Sequence, residues 1–283
     1  MISALALLCI CIHAIAGIES ADDGKACFQD DSEYLCVDPG QRHVKDDSLL
    51  FVTPWNKVGY ELVQTHSHKV SMVSPVWFYI EKNKVTGVFE FQGRQDIDRD
   101  LISGLRNKNS KIKILPRVYV SAMEEELRWF IKPDNFRFVF NEILAIAKEE
   151  GLDGYVFDFP LFNRLKYRGP VKTVLDTIKS EFGDLYKVIT FAGHRISFSK
   201  SYDELKPYID TFDKILVCTY DYPSKTFDRW LSPIHWFNEN VDYYAKAAAD
   251  FNVPTKTFMI GMPFYGYMVD GNTYSSRQIQ IEE

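Results

Sequence analysis

From Leu49 to Phe264 the chain alternates short apolar runs rich in β-branched and aromatic residues with longer amphipathic segments. The runs are Leu49 to Thr53, Val70 to Ile80, Ile112 to Val120, Asp153 to Phe159, Tyr186 to Ala192, Phe212 to Tyr220 and Thr257 to Phe264. Near-continuous hydrophobic strings of this kind suit strands covered on both faces, as in a parallel sheet wrapped by helices. The segment Asn135 to Glu150 places Phe136, Phe140, Ile143 and Ala147 on one stripe, begins after Pro133-Asp134 and stops at Gly151, which predicts a helix with a left-handed C-cap. Further helices are predicted near Gln95 to Asn107, Pro170 to Phe182 and Trp236 to Phe251, and Val85 to Phe91 reads as an extra hairpin arm after the second strand. Short linkers argue for one domain over 48–283. The expected class is α/β, a (β/α)8 TIM-barrel type; seven strands are countable, so the eighth strand and helix are expected to be lacking in this chain.

Composition narrows the class. Hydrophobic residues make up 46% of the 283 and charged residues 25%, ample for a buried core and unlike a disordered chain. With 33 Lys and Arg against 39 Asp and Glu, the net charge of −6 argues against a surface that tracks nucleic-acid phosphates. Residues 1–17 read as a signal peptide: Ile2 to Ile12 is an uncharged apolar run, followed by the small-x-small pattern of Ala14-Ile15-Ala16-Gly17. That run is too short to span a bilayer, so no membrane insertion is expected. Residues 18–47 form an acidic, partly disordered leader in which Cys27 and Cys36 are candidates for a small-loop disulfide in an oxidising lumen. Cys218, inside an apolar run, reads as a buried small hydrophobe. No metal-ligand spacing, phosphate loop or nucleophile elbow is present, so neither metal nor cofactor is expected.

In a (β/α) barrel, chemistry is carried at the C-terminal ends of strands. The fourth run reads Leu152-Asp153-Gly154-Tyr155-Val156-Phe157-Asp158-Phe159-Pro160. It resembles the Asp-Gly-x-Asp-x-Asp-x-Glu signature of glycoside hydrolase family 18, the chitinases and chitinase-like lectins, with Asp153, Gly154 and Asp158 matching. Val156 stands where the family has its second Asp, and Pro160 where it has the proton-donating Glu. Phe51-Val52-Thr53-Pro54-Trp55-Asn56, Gly59-Tyr60, Ser74-Pro75-Val76-Trp77 and Ile114-Leu115-Pro116-Arg117 resemble the first three strands of one branch of that family. Thr219-Tyr220-Asp221-Tyr222 resembles its sixth-strand motif, whose Tyr and Asp meet the substrate N-acetyl group in active relatives, and Gly261 to Gly266 resembles the seventh.

The resemblance implies a secreted or lysosomal protein whose partners are an oligosaccharide of the chitin or N-acetylglucosamine type and a scavenger-type receptor. Hydrolysis in the family needs a carboxylic acid at the glycosidic oxygen and a neighbouring Asp to orient the 2-acetamido group. Asp158 lies two residues, roughly 6.6 Å, below position 160 on a strand, and Pro160 has neither a carboxyl nor an N–H. No catalytic residue is therefore expected. Binding needs stacking platforms and hydrogen-bonding groups instead; the candidates are Tyr220, Asp221, Trp55, Trp77 and Tyr265, at or near strand ends. Arg117 is a candidate either to neutralise Asp158 or to meet an anionic ligand, the ion pair being favoured. Two other readings stay open: a protein-interaction module presenting the Val85 to Phe91 hairpin, and a residual hydrolase of an unusual glycan. The resemblance ends near Tyr267, so a truncated isoform or incomplete gene model is expected, with the unpaired edges of the first and seventh strands inviting association.

Overall fold

The computed structural model describes residues 26–30, 33–37, 46–121, 123–159, 168–193, 202–222, 231–263, 265–269 and 276–280, with the side chains of 26–37, 168, 266–269 and 276–280 excepted. In the leader, β1 (Ala26–Asp30) and β2 (Glu33–Val37) form an antiparallel hairpin whose register sets Cys27 directly opposite Cys36. Then follow β3 (Leu49–Val52), α1 (Lys57–Thr65), β4 (Met72–Pro75), β5 (Phe78–Lys82), β6 (Phe89–Gln92) and α2 (Arg99–Lys108). The next elements are β7 (Lys113–Ile114), β8 (Arg117–Val120), α3 (Glu124–Phe130), α4 (Pro133–Glu150), β9 (Gly154–Asp158) and α5 (Arg168–Glu181). The chain continues through β10 (Tyr186–Ala192), α6 (Lys206–Ile209), β11 (Lys214–Cys218), α7 (Ile234–Asp250), β12 (Phe258–Gly261) and the antiparallel pair β13 (Tyr265–Val269) and β14 (Ser276–Gln280).

The strands β12-β11-β10-β9-β8-β5 pair in parallel in that order, with β6 antiparallel at the β5 edge, while β3-β4-β7 form a second parallel group. Two prolines explain the split. Pro75 closes β4 and Pro116 separates β7 from β8; neither can donate to a ladder, so the second and third runs of the sequence each break into a lower and an upper strand. Backbone bonds carry the sheet across the break, from Leu115 N–H to Val73, Asp153 N–H to Ile114 and Val156 N–H to Pro116. The result is a helix-wrapped parallel sheet of the (β/α)-barrel type; among the described residues its larger group ends at β12 and at the antiparallel β6, and its smaller group begins at β3. β6 is the hairpin arm expected from Val85 to Phe91.

Two apolar layers hold it. Outside, the strands meet the helices through a phenylalanine-rich core in which Phe157 lies edge-on to Phe140, Phe159, Phe182 and Phe212. Inside, Met72, Leu115, Val156, Val188 and Leu216 fill the barrel, with Phe51, Tyr186 and Met259 packed against them. Gly154 is required where β9 enters: a Cβ there would lie 1.9 Å from the Tyr186 carbonyl oxygen. Helix α4 ends at Gly151 with φ 63, as expected, but begins on Pro133, two residues before the expected Asn135, because proline's fixed φ and missing N–H suit the first helical position. At the floor, the buried Lys214 ammonium reaches Asp47 Oδ2 and the Lys256 carbonyl, each at 2.7 Å, tying β11 to the segment before β3.

Candidate functional site

Residues 154, 156 and 158 alternate onto the inner face of β9, and the three do different work. Gly154 admits Tyr186, Val156 belongs to the dry interior layer, and Asp158 emerges above it. Asp158 is fully engaged. Arg117 on β8 donates from Nε to Asp158 Oδ2 at 2.7 Å and from Nη2 to the same oxygen, while Thr190 on β10 donates to Oδ1 at 2.6 Å. The Arg117 and Asp158 side chains are only 26% and 23% exposed, and the guanidinium lies 4.6 Å from the Tyr119 ring centre. Both carboxylate oxygens accept, so this pair is a charge-assisted clamp across three strands. The ion pair is thus the one formed of the two roles open to Arg117.

Above β11 the sequence Cys218-Thr219-Tyr220-Asp221 gives a different arrangement. The Tyr220 hydroxyl donates to Cys218 Sγ at 3.1 Å, and its ring stands edge-on to Tyr265 with centroids 6.0 Å apart. Burial pushes the Cys218 thiol up to about 12, despite the lowering effect of the Tyr220 hydroxyl, so it stays protonated and inert as a nucleophile. Burial also raises the Tyr220 phenol, with the thiol and Asp158 adding to the shift, and it remains a neutral hydroxyl. Asp221 is exposed on a left-handed backbone with φ 56, a conformation Asp tolerates better than most residues. Tyr220, Tyr265 and Asp221 are therefore brought together at the mouth of the barrel.

The other candidates fall differently. Trp55, just past β3, is 68% exposed. Trp77 is a correction: its ring is 0% exposed, edge-on to Phe78 with its N–H bonded to the Tyr60 hydroxyl at 2.9 Å, so it offers no face to a ligand. The chain turns inward after Pro75, carrying the ring into the outer core. Asp153 is structural, accepting from Arg106 at 3.0 Å and from the Ile114 N–H at 2.8 Å. Pro160 lies outside the described residues, as do 1–17. The Cys27 and Cys36 backbones are opposed, but their side chains lie outside the description. Sequence reasoning missed Thr190 and Tyr119; the available signal was the alternation Arg117-Val118-Tyr119-Val120, in which every second residue is buried. Among the described residues no group of three or more His, Cys, Asp or Glu is gathered as a metal site, and no helix is long and apolar enough to cross a membrane.

No protein-family profile matches the chain. Solved structures do. The GH18 chitinase ChiB from the chitin utilization locus of Flavobacterium johnsoniae superposes with a TM-score of 0.59 at 18% identity, covering 83% of this chain and 73% of that one. The spore cortex-lytic enzyme SleL of Bacillus megaterium gives 0.61 at 17% identity, covering 87% of this chain but 58% of its own. A class V chitinase from Nicotiana tobaccum, solved in complex with NAG4, gives 0.56 at 15% identity over 79% of this chain and 68% of that one. The fold is that of the GH18 chitinases.

Proposed function

We propose that the chain is a secreted or lysosomal chitinase-like protein that binds chitin-type, N-acetylglucosamine-based oligosaccharides and does not cleave them, in the branch represented by chitinase domain-containing protein 1, also called stabilin-1-interacting chitinase-like protein. The observation that carries this reading is the committed state of Asp158. Its oxygens are taken by Arg117 and Thr190, and the position below it is the buried Val156, so the inner face of β9 presents no carboxyl group free to transfer a proton. At position 160 the sequence offers a proline. The neighbouring rim keeps what recognition needs: the Tyr220 and Tyr265 rings, the exposed Asp221 and the exposed Trp55. NAG4 in the tobacco enzyme supports the ligand class for this fold. Titration calorimetry with N-acetylchitooligosaccharides tests the reading: saturable binding that weakens in Asp221→Ala is expected, and no heat at any concentration for either protein would refute it. A second reading has its own observation. Val85 at the tip of the β5–β6 hairpin is 94% exposed beside the exposed Val88, a surface suited to a protein contact such as the proposed scavenger-type receptor.

A further inference from the structure

The larger strand group ends at β6, and among the described residues no strand pairs with its outer side. The phase of the β5–β6 hairpin decides what that edge offers. Asn83 N–H donates to the Val88 carbonyl at 2.8 Å, so Asn83 and Val88 form a hydrogen-bonded pair. By the alternation of an antiparallel ladder, Glu81 with Glu90 and Tyr79 with Gln92 are hydrogen-bonded pairs too. The main-chain N–H and C=O groups of Phe89 and Phe91 therefore point away from β5, where they meet no partner among the described residues. Their rings are fixed on the helix side, Phe89 stacked on Trp129 at 5.2 Å and Phe91 on Phe78 at 5.5 Å. Glu90, between them, lies on the other face, directly across from the exposed Glu81; like charges so placed repel. The cations nearby are largely committed. Lys82 borders the same cavity as the two carboxylates, but its ammonium pairs with Glu125 and lies over the Phe89 ring, on the helix side. Arg94 is held by Glu142 and Glu149. Lys84 also lines that cavity and forms no ion pair among the described residues. Against it stand Glu81, Glu90 and Glu126, which borders an adjoining cavity of about 650 Å³ with Oε2 buried and lacking a hydrogen-bond partner among the described residues. The edge is net acidic.

We propose that β6 is a docking edge for an extended segment of another protein, added antiparallel as the next strand and carrying an apolar–basic–apolar pattern. The proposal rests on the protein-contact reading of the hairpin and names its mode of recognition. Two residues of the incoming strand, set opposite Phe89 and Phe91, each exchange both main-chain hydrogen bonds with β6 and lay apolar side chains beside the two rings. The residue between them falls opposite Glu90 at the close spacing of a non-hydrogen-bonded pair, on the face that carries Glu81. Lys or Arg there relieves the repulsion of the two carboxylates, whereas Asp or Glu adds a third. Charge disfavours a second copy as the occupant, because antiparallel pairing of two β6 edges about their centre sets Glu90 against Glu90.

The test is fluorescence anisotropy of the full chain with end-capped, dye-labelled heptapeptides of sequence Ser-Thr-Val-Lys-Val-Thr-Ser. Companion peptides carry Glu in place of the central Lys, or N-methyl groups on both valines or on the lysine alone. The lysine peptide is expected to bind at least about tenfold more tightly than the glutamate peptide. N-methylation of the valines, whose N–H groups face β6, should weaken binding at least about tenfold, and N-methylation of the lysine, whose N–H faces away, less than about threefold. In Glu90→Lys the order of the two peptides should reverse, a result an unfolded variant cannot give. Binding indifferent to which N–H is methylated, or an unchanged order in Glu90→Lys, overturns strand addition. No binding of either peptide by the wild type overturns it as well. The contact reading falls separately, if a chain with Val85→Ser and Val88→Ser binds an immobilised scavenger-type receptor ectodomain as the wild type does.

Discussion

The lower and upper halves of this sheet come from the same apolar runs of the chain and obey different rules. Below, β4 and β9 are buried on both faces up to Phe157, between the interior layer of Met72, Leu115 and Val156 and the phenylalanine core outside. Above, β5 and β8 alternate, with one face against helices and the other carrying Arg117, Tyr119 and Tyr79 beside Asp158. The difference separates stability from recognition. The side chains of β4, and of β9 as far as Phe157, have no exposed surface with which to meet a ligand, and polar groups in the upper half contribute little to the core. A two-residue step along β9, from Val156 to Asp158, crosses the boundary.

The largest effect that would break this division is expected in the lower half. Phe157→Ala removes a fully buried ring that meets five others and should cost about 3–5 kcal/mol of folding stability, read from urea denaturation; a cost below about 1 kcal/mol would mean that β9 is not held between the two layers. Next comes the clamp at the boundary. Arg117→Met leaves Asp158 with Thr190 alone and should cost about 1–3 kcal/mol, less than a fully buried pair because both side chains keep about a quarter of their surface. Combining it with Asp158→Asn should recover part of that loss in a double-mutant cycle, and strict additivity would show that the pair contributes no coupling.

Alkali probes the same boundary from the Cys218 side. The folded thiol holds its proton up to about 12, against 9.0 for an exposed one, so above pH 9 unfolding releases a proton that the native state keeps. The thiol's share of the stability should therefore be fully present below about 9 and decline as the pH rises towards 12, by about 1 kcal/mol at pH 10, while the buried phenols of Tyr155, Tyr186, Tyr220 and Tyr244, raised from 10.0, add their own losses from about pH 10 upward. Cys218→Ala should flatten that decline in a urea-midpoint series, and an unchanged slope would remove the thiol from the account. The smallest effect is at the rim: Trp55→Ala should leave the denaturation midpoint within about 0.5 kcal/mol of wild type while weakening oligosaccharide binding about threefold.

How much of this is legible in the chain follows the same boundary. The lower strands are readable because burial on both faces leaves contiguous apolar runs, and α4 is readable because Pro133 and Gly151 mark its ends. The breaks after Pro75 and at Pro116 were hidden within runs that look continuous, and with them the fate of Trp77, whose ring enters the core just where a strand-end aromatic looks available. Tyr119 was overlooked for a related reason: inside a hydrophobic run, a period of two is easily read as continuous burial. Asp158 was identifiable by its motif and Arg117 as its partner, whereas Thr190 carries no mark in Val188-Ile189-Thr190-Phe191 that separates a hydrogen-bonding threonine from a β-forming one.

The most direct measurement is release of chromophore from a chitobioside by the purified chain, run beside an active chitinase of the same fold and beside Asp158→Asn. No release above the buffer rate is expected for either form of this protein under conditions where the active enzyme turns over. Steady release by the wild type that disappears in Asp158→Asn would contradict it, because the carboxylate held by Arg117 would then be doing the chemistry from which that clamp is taken to exclude it.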